Sequence, residues 1–162
     1  MADDFEKIIL APLRELQHFW SSNKPLRIIK VEGLNHFNES FEKGGFTDQS
    51  FKKWPDRKAP KWLTGKKLER WQADNASRAT LIGKSTQTEG PHLKDSNTAK
   101  MLGSGVEFSN DKIYAQVHND GLLSGRPPGF TMTQRQFIGP SAVLEDNITE
   151  KITREINKIF NQ

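Results

Sequence analysis

The stretch IYAQVHNDG, residues 113–121, sets Tyr114 and His118 one helical turn apart. QRQFIGPS, residues 134–141, then adds Arg135 after a Gly/Pro-rich gap that already holds Arg126. A Tyr, a His and two Arg this close could form a catalytic pocket, with His118 as general base and Tyr114 assisting it. The same pair beside Ile113 and Val117 is ordinary for a half-buried helix whose polar tips reach the surface, and a lone His is more often structural than catalytic. GxSxG, HExxH, P-loop and GxGxxG patterns do not occur, and GSGVEF lacks the lysine and helix of a phosphate cradle. There is no Cys, so disulfides and thiolate zinc sites are excluded, and His18, His36, His92 and His118 lack the short spacings of metal motifs. No catalytic, cofactor-binding or metal-binding residue is assigned, and an enzyme built on Tyr114 and His118 is the weakest of three readings.

A second set of residues suggests binding. The chain has a net charge of +4, yet residues 1–51 carry 6 basic and 8 acidic side chains, residues 52–78 carry 9 and 3, and residues 79–162 carry 9 and 9. All the excess lies in KKWPDRKAPKWLTGKKLERWQADNASR, where Trp54, Trp62 and Trp71 alternate with cations that include Arg57, Lys66, Lys67 and Arg70. Cations that neutralise phosphates, interleaved with aromatics that stack on bases, make a nucleic-acid-binding module the alternative function. The plainer reading has the three indoles anchoring a long loop to the core while Lys and Arg stay in water.

These candidates need elements to position them. At 162 residues the chain fits one domain, divided into a helical part (1–45), a basic Trp-rich arm (46–79) and a part with strands, a short helix and a C-terminal helix (80–162). Hydrophobic residues make up 34 %, below the roughly 45–50 % of average soluble domains, so they must concentrate in a few elements. No run approaches the roughly 18 apolar residues of a spanning helix. MADDFEK begins with acids where a signal peptide needs a basic start, so a soluble protein made in a cytoplasm is expected.

Phe5, Ile9, Leu13, Leu16 and Trp20 fall on one side of a first helix, which kinks or begins at Pro12. Leu26, Ile29, Leu34, Phe37 and Phe41 form the stripe of a second, with Pro25 in its first turn and Gly44–Gly45 as its stop. The arm is extended, with room for a helix in KKLERWQADNASR. ATLIG and HLKDS are short strand candidates, and NTAKML with GVEFS is a hairpin turning through Gly103 and Ser104. NDKIYAQVHNDG reads as a helix capped by Asn110 or Asp111, with Ile113, Tyr114 and Val117 on one face and Gly121 as stop. FTMTQ alternates like a returning strand. Leu144, Ile148, Ile152, Ile156 and Ile159 or Phe160 make the stripe of a C-terminal helix, with Glu150–Arg154 and Lys151–Glu155 as i,i+4 pairs on its wet side. The sum is an α+β fold, a small antiparallel sheet packed with N-terminal and C-terminal helices plus a long basic arm.

The final third resembles the virion morphogenesis family of tailed phages, the tail-completion proteins of Mu-like phages and prophages. That family carries a YA followed by an aliphatic residue, His and Gly, then a variable loop, an Arg, a Phe with an aliphatic residue and Gly, and a Ser-capped helix. Tyr114, Ala115, Val117, His118 and Gly121 match the first part; Arg135, Phe137, Ile138, Gly139 and Ser141 match the second. FEKGGFTDQSFKKW and HLKDS are looser echoes, and the likeness covers roughly residues 27–160. Thr133 and Gln136 stand where members often have prolines, and the basic arm is longer than usual. The resemblance implies a non-catalytic structural protein of tail completion or head–tail joining, without cofactor and without membrane contact. Its partners would be tail and connector or neck proteins and further copies of itself in a ring, in the host bacterial cytoplasm during assembly and then in the virion. Tyr114, His118, Gly121, Arg135, Phe137 and Gly139 would brace a corner of the fold and form an assembly surface.

Overall fold

A computed structural model describes residues 6–76, 80–81 and 92–161. The body is an antiparallel pair of long helices, α2 (Lys24–Lys43) and α5 (Ala142–Phe160). Each terminus follows from local chemistry. Pro25 occupies the first turn of α2, where its missing N–H costs no bond, and the helix ends at Gly44 in the left-handed conformation. Ser141 caps α5: its Oγ accepts the Leu144 N–H at 3.1 Å and donates to the Thr47 carbonyl at 2.9 Å, while the Asp48 carboxylate accepts the Ala142 N–H at 2.9 Å. An anion and a hydroxyl at this terminus satisfy orphan amides and complement the helix dipole. They also tie α5 to the chain leaving α2.

α2 and α5 pack together along part of their expected stripes, with Phe37 against Leu144 and Ile148, while Phe41 turns to Trp54 and Phe137. Phe37 and Phe41 are buried, and Leu144 is buried with Ile148, Ile152, Ile156 and Ile159 half-buried; Phe160 lies outside the stripe, exposed. Ion pairs register the two helices along their length: Lys24–Glu155 at 2.6 Å near one end and Lys151–Glu32 at 2.5 Å farther along. The Glu150–Arg154 pair forms within α5 as expected. The expected Lys151–Glu155 pair does not, because the packing places the Glu32 carboxylate of α2 beside Lys151 and Lys24 beside Glu155, which Lys158 of α5 also approaches from one turn on.

Those two ammonium groups, Lys158 first and Lys24 second, hold the Glu155 carboxyl down to about 2 from its ordinary value near 4.5. A folded-state value below the unfolded one makes the contribution to stability complete above about pH 4.5 and lost as pH falls through about 2. Glu155→Gln is therefore expected to be less stable than wild type at neutral pH, with the difference shrinking as acid titrates the wild-type carboxylate. Thermal midpoints across that pH range check this; a constant offset between the two proteins contradicts it.

α1 (Ala11–Ser21) starts with Pro12 in its first turn, preceded by a π-helical turn over Glu6–Leu10. Its expected stripe does not face inward: Ile9, Leu13 and Trp20 are exposed, Leu16 is half-buried, and Phe19 is the buried residue; Phe5 lies outside the described residues. The helix has rotated so that Phe19 meets the body, its ring 5.8 Å from Lys24 Nζ.

The strands form three two-stranded antiparallel ribbons among the described residues, with no larger sheet. These are β1 (Gly45–Thr47) with β2 (Phe51–Lys53), β3 (Asn97–Met101) with β4 (Val106–Asn110), and β5 (Leu123–Ser124) with β6 (Phe130–Thr131). The fold is α+β, as the element pattern predicts. The helix pair takes the central place where the sequence suggested a sheet, and the β1–β2 and β3–β4 ribbons pack on α2. β4 sits on α2 through Phe108, whose ring meets Phe37 edge-on at 5.2 Å and lies directly over Gly33. A Cβ at Gly33 would come 2.2 Å from Phe108 Cζ, so the close approach of ribbon to helix requires glycine there.

HLKDS is not a strand. Leu93–Asp95 is a 3-10 turn, because the His92 carbonyl accepts both the Asp95 N–H and the Ser96 hydroxyl, at 2.9 Å each, and local bonds of this kind displace a ladder. ATLIG falls largely outside the described residues. The helix expected in KKLERWQADNASR is α3 (Gly65–Asn75). That expected in NDKIYAQVHNDG is shorter than its pattern, α4 (Ala115–Asp120), because Asn110 Oδ1 spends itself on the Lys112 N–H at 3.1 Å and Ile113 points into solvent. Two apolar clusters make the core: Phe37, Phe46 and Leu144 in one; Phe41, Trp54, Leu93, Ala115 and Phe137 in the other. Ile138 packs on both.

Candidate functional site

The second cluster is where the motif residues meet. Phe137 is 1 % exposed, with its ring 5.0 Å from that of Phe41, which in turn meets Trp54 edge-on at 5.5 Å. The backbone N–H groups around it are held by one side chain: Asn119 Oδ1 accepts those of Phe137 at 2.9 Å and Ile138 at 3.0 Å. Arg135 is buried; its N–H donates to the His118 carbonyl at 2.8 Å, and its Nε and Nη2 donate to the Pro55 carbonyl at 3.1 and 3.0 Å. From the other side the Trp54 indole N–H donates to the Gln136 carbonyl at 2.7 Å. One corner is thus stitched from three pieces of chain, the start of the basic segment, the C-terminal half of α4 and the strand-like run into α5.

Gly121 ends α4 with φ +70° and donates to the Val117 carbonyl at 3.1 Å; a Cβ there would press on Gln134 Cβ at 2.9 Å and the Met132 carbonyl at 3.1 Å. Both the backbone conformation and the crossing strand demand glycine. Gly139 is less constrained, since a Cβ would meet the flexible end of Gln136. Tyr114 is half-exposed at the N-cap of α4, with its ring edge-on to His118 at 6.1 Å.

His118 is held below its ordinary pKa by burial first and by the Arg135 charge second, so its imidazole is neutral where a free histidine begins to protonate. Its Nδ1 is buried with no hydrogen-bond partner. A general base of the triad kind is oriented through that nitrogen by an acceptor, and among the described residues none is present; the neighbours are an aromatic edge and a cation. Arg135 is itself drawn below its ordinary value by burial, an effect that the nearby Asp56 carboxylate opposes. Among the described residues no three His, Asp or Glu side chains converge as a metal would require.

The basic segment separates its three indoles. Trp54 is buried, which removes it from the candidate partner contacts: its ring fills the core and its N–H is used. Trp71 is half-buried on α3, where its carbonyl accepts Asn75 Nδ2 at 2.8 Å. Trp62 is 76 % exposed. Lys66, Lys67 and Arg70 lie exposed on α3, and Arg57 is half-buried. A further surface was not foreseen. Ile113 before α4 and the β5–β6 hairpin after it leave Ile113 97 %, Leu123 68 % and Phe130 56 % exposed, with Leu122 also out. Asn119, the residue that organises the Phe137 backbone, was also missed; an Asn two residues before a helix-ending Gly has several local uses, and only the fold selects this one.

Fold and site together define a small α+β protein whose helix pair carries a tightly stitched corner, an exposed apolar hairpin and a cationic segment. No protein-family model, curated protein or solved structure matches the chain. Among the described residues no helix is long and apolar enough to cross a membrane.

Proposed function

We propose that the protein is a structural subunit of tailed-phage morphogenesis, acting without catalysis or cofactor in tail completion or head–tail joining. It would bind tail and connector proteins and further copies of itself, in the host cytoplasm and then in the virion. The motif likeness at residues 113–141 suggests this reading, and its residues are used as bracing is used. Phe137 and Arg135 are buried, and Gly121 sits where only glycine fits.

The observation that carries the proposal is that four large apolar side chains, Ile113, Leu122, Leu123 and Phe130, stand exposed on the stretch formed by one short helix and the hairpin after it. Large apolar side chains left in water along one stretch of chain are what a region covered by another protein presents. The corner beneath it supplies a rigid base.

Ile113→Ser and Leu123→Ser test this directly. Neither side chain contributes to the core, so the thermal midpoint should stay at the wild-type value. Loss of an interface anchor worth about 2 kcal/mol corresponds to about thirtyfold weaker association, and the double variant should fail to join tails to heads in an in vitro assembly assay. Normal joining by the double variant removes the hairpin from any assembly role. A catalytic activity abolished by His118→Ala, with folding intact, overturns the non-enzymatic reading.

A further inference from the structure

The cationic segment joins the corner's stitching through Trp54, Pro55 and Asp56, and Lys53 pairs with Asp56, but most of its other cations stand out in water. Lys52, Lys58, Lys61, Lys66, Lys67 and Arg70 are all exposed, and none has a carboxylate partner among the described residues. Concentrated charge of one sign raises the local potential and repels itself in the free protein. At the start of the segment a groove of about 330 Å3 is lined by Lys52, Lys53, Trp54 and Pro55 from one piece of chain and by Gln134 and Gln136 from another. Asp48 also reaches it, but its carboxylate is engaged by the Ala142 N–H.

Trp62 follows seven residues after Pro55, within about 25 Å along a fully extended chain. It is the most exposed aromatic of the segment, and α3 with Lys66, Lys67 and Arg70 begins three residues later. Cations in series, an amide-lined groove and an open indole are the parts used by proteins that track a phosphate backbone and stack on its bases. An acidic polypeptide would satisfy the cations and leave the indole with no flat partner. In a duplex the bases already stack on one another and cannot reach Trp62.

We propose that residues 52–70, together with Gln134 and Gln136, form a binding surface for single-stranded nucleic acid. Phosphates lie along the lysines, and an unpaired base stacks on Trp62. This surface does not depend on the assembly reading, which rests on the hairpin.

The test is fluorescence anisotropy of a labelled single-stranded DNA of about 16 nucleotides titrated with the full chain at several salt concentrations. With about −0.7 per neutralised phosphate, six contacts give a log–log salt slope of about −4, and the Lys66→Ala/Lys67→Ala/Arg70→Ala variant should fall to about −2. Trp62→Ala should weaken binding about 5- to 150-fold with the slope unchanged, and Trp62→Phe should retain most of the affinity. Because Trp62 is exposed, both variants should keep the wild-type thermal midpoint, and the Ile113→Ser/Leu123→Ser protein should bind the oligonucleotide normally. Salt-independent or absent binding overturns the proposal. So does equal affinity for a duplex with Trp62→Ala silent. Equal affinity for polyglutamate with the same silence assigns the surface to an acidic protein instead.

Discussion

Phe137→Ala is expected to destabilise the protein by about 3 to 5 kcal/mol, the usual range for removing a buried phenylalanine ring. The upper part of that range is favoured by the surroundings. The cavity would open between Phe41, Trp54, Leu93 and Ala115, and the backbone at residue 137 cannot settle into it while Asn119 Oδ1 holds the N–H groups of residues 137 and 138. Denaturant unfolding should show a lower midpoint at unchanged m-value, and Phe137→Leu should lose less than half as much. A cost near about 1 kcal/mol would mean that the second cluster collapses freely and is not the rigid base required beneath the hairpin.

Arg135→Met should cost about 3 kcal/mol, since the guanidinium donates twice to the Pro55 carbonyl and charged hydrogen bonds are worth about 1.5 to 3 kcal/mol each. Methionine keeps the volume and leaves that carbonyl without its donor. The loss should appear first in the basic segment: hydrogen exchange and proteolysis between residues 54 and 64 should accelerate before global unfolding. Arg135→Lys should not rescue the segment, because an ammonium lacks the planar fork. The substitution also removes one of the two causes that lower His118. In Arg135→Met the His118 pKa should rise yet stay below its ordinary value, since burial, the larger cause, persists. The acid-side loss of stability linked to His118, which sets in as pH falls below the unfolded value, should shrink accordingly. An unmoved His118 titration would show that the Arg135 charge does not reach the imidazole.

The sequence by itself determined what periodicity and terminal chemistry encode locally. The stripes and caps of α2 and α5, the β3–β4 hairpin turning at Gly103–Ser104, and the Gly121 stop are all present, because each is decided by residues within a turn or two of one another. The α+β class followed from those elements.

Tertiary structure decided everything in which one partner is remote. Trp54 and Trp62 look alike in sequence, eight residues apart among lysines; Trp54 is taken inside because Phe41 and the Gln136 carbonyl offer its ring and N–H a place, and Trp62 has no such pair among the described residues. The stripe on α1 is real but faces out, since hydrophobic periodicity defines a face without saying what covers it; the contact fell to Phe19. Lys151 and Glu155 have ideal i,i+4 spacing, yet Glu32 and Lys24 claim them, because helix packing brings in counter-charges that spacing along one helix cannot count. The fold brings Tyr114, His118 and Arg135 together, through the Arg135 N–H on the His118 carbonyl and the edge-on Tyr114–His118 rings. Their meaning depended on the Pro55 carbonyl, some 80 residues away in sequence, which spends the guanidinium on architecture.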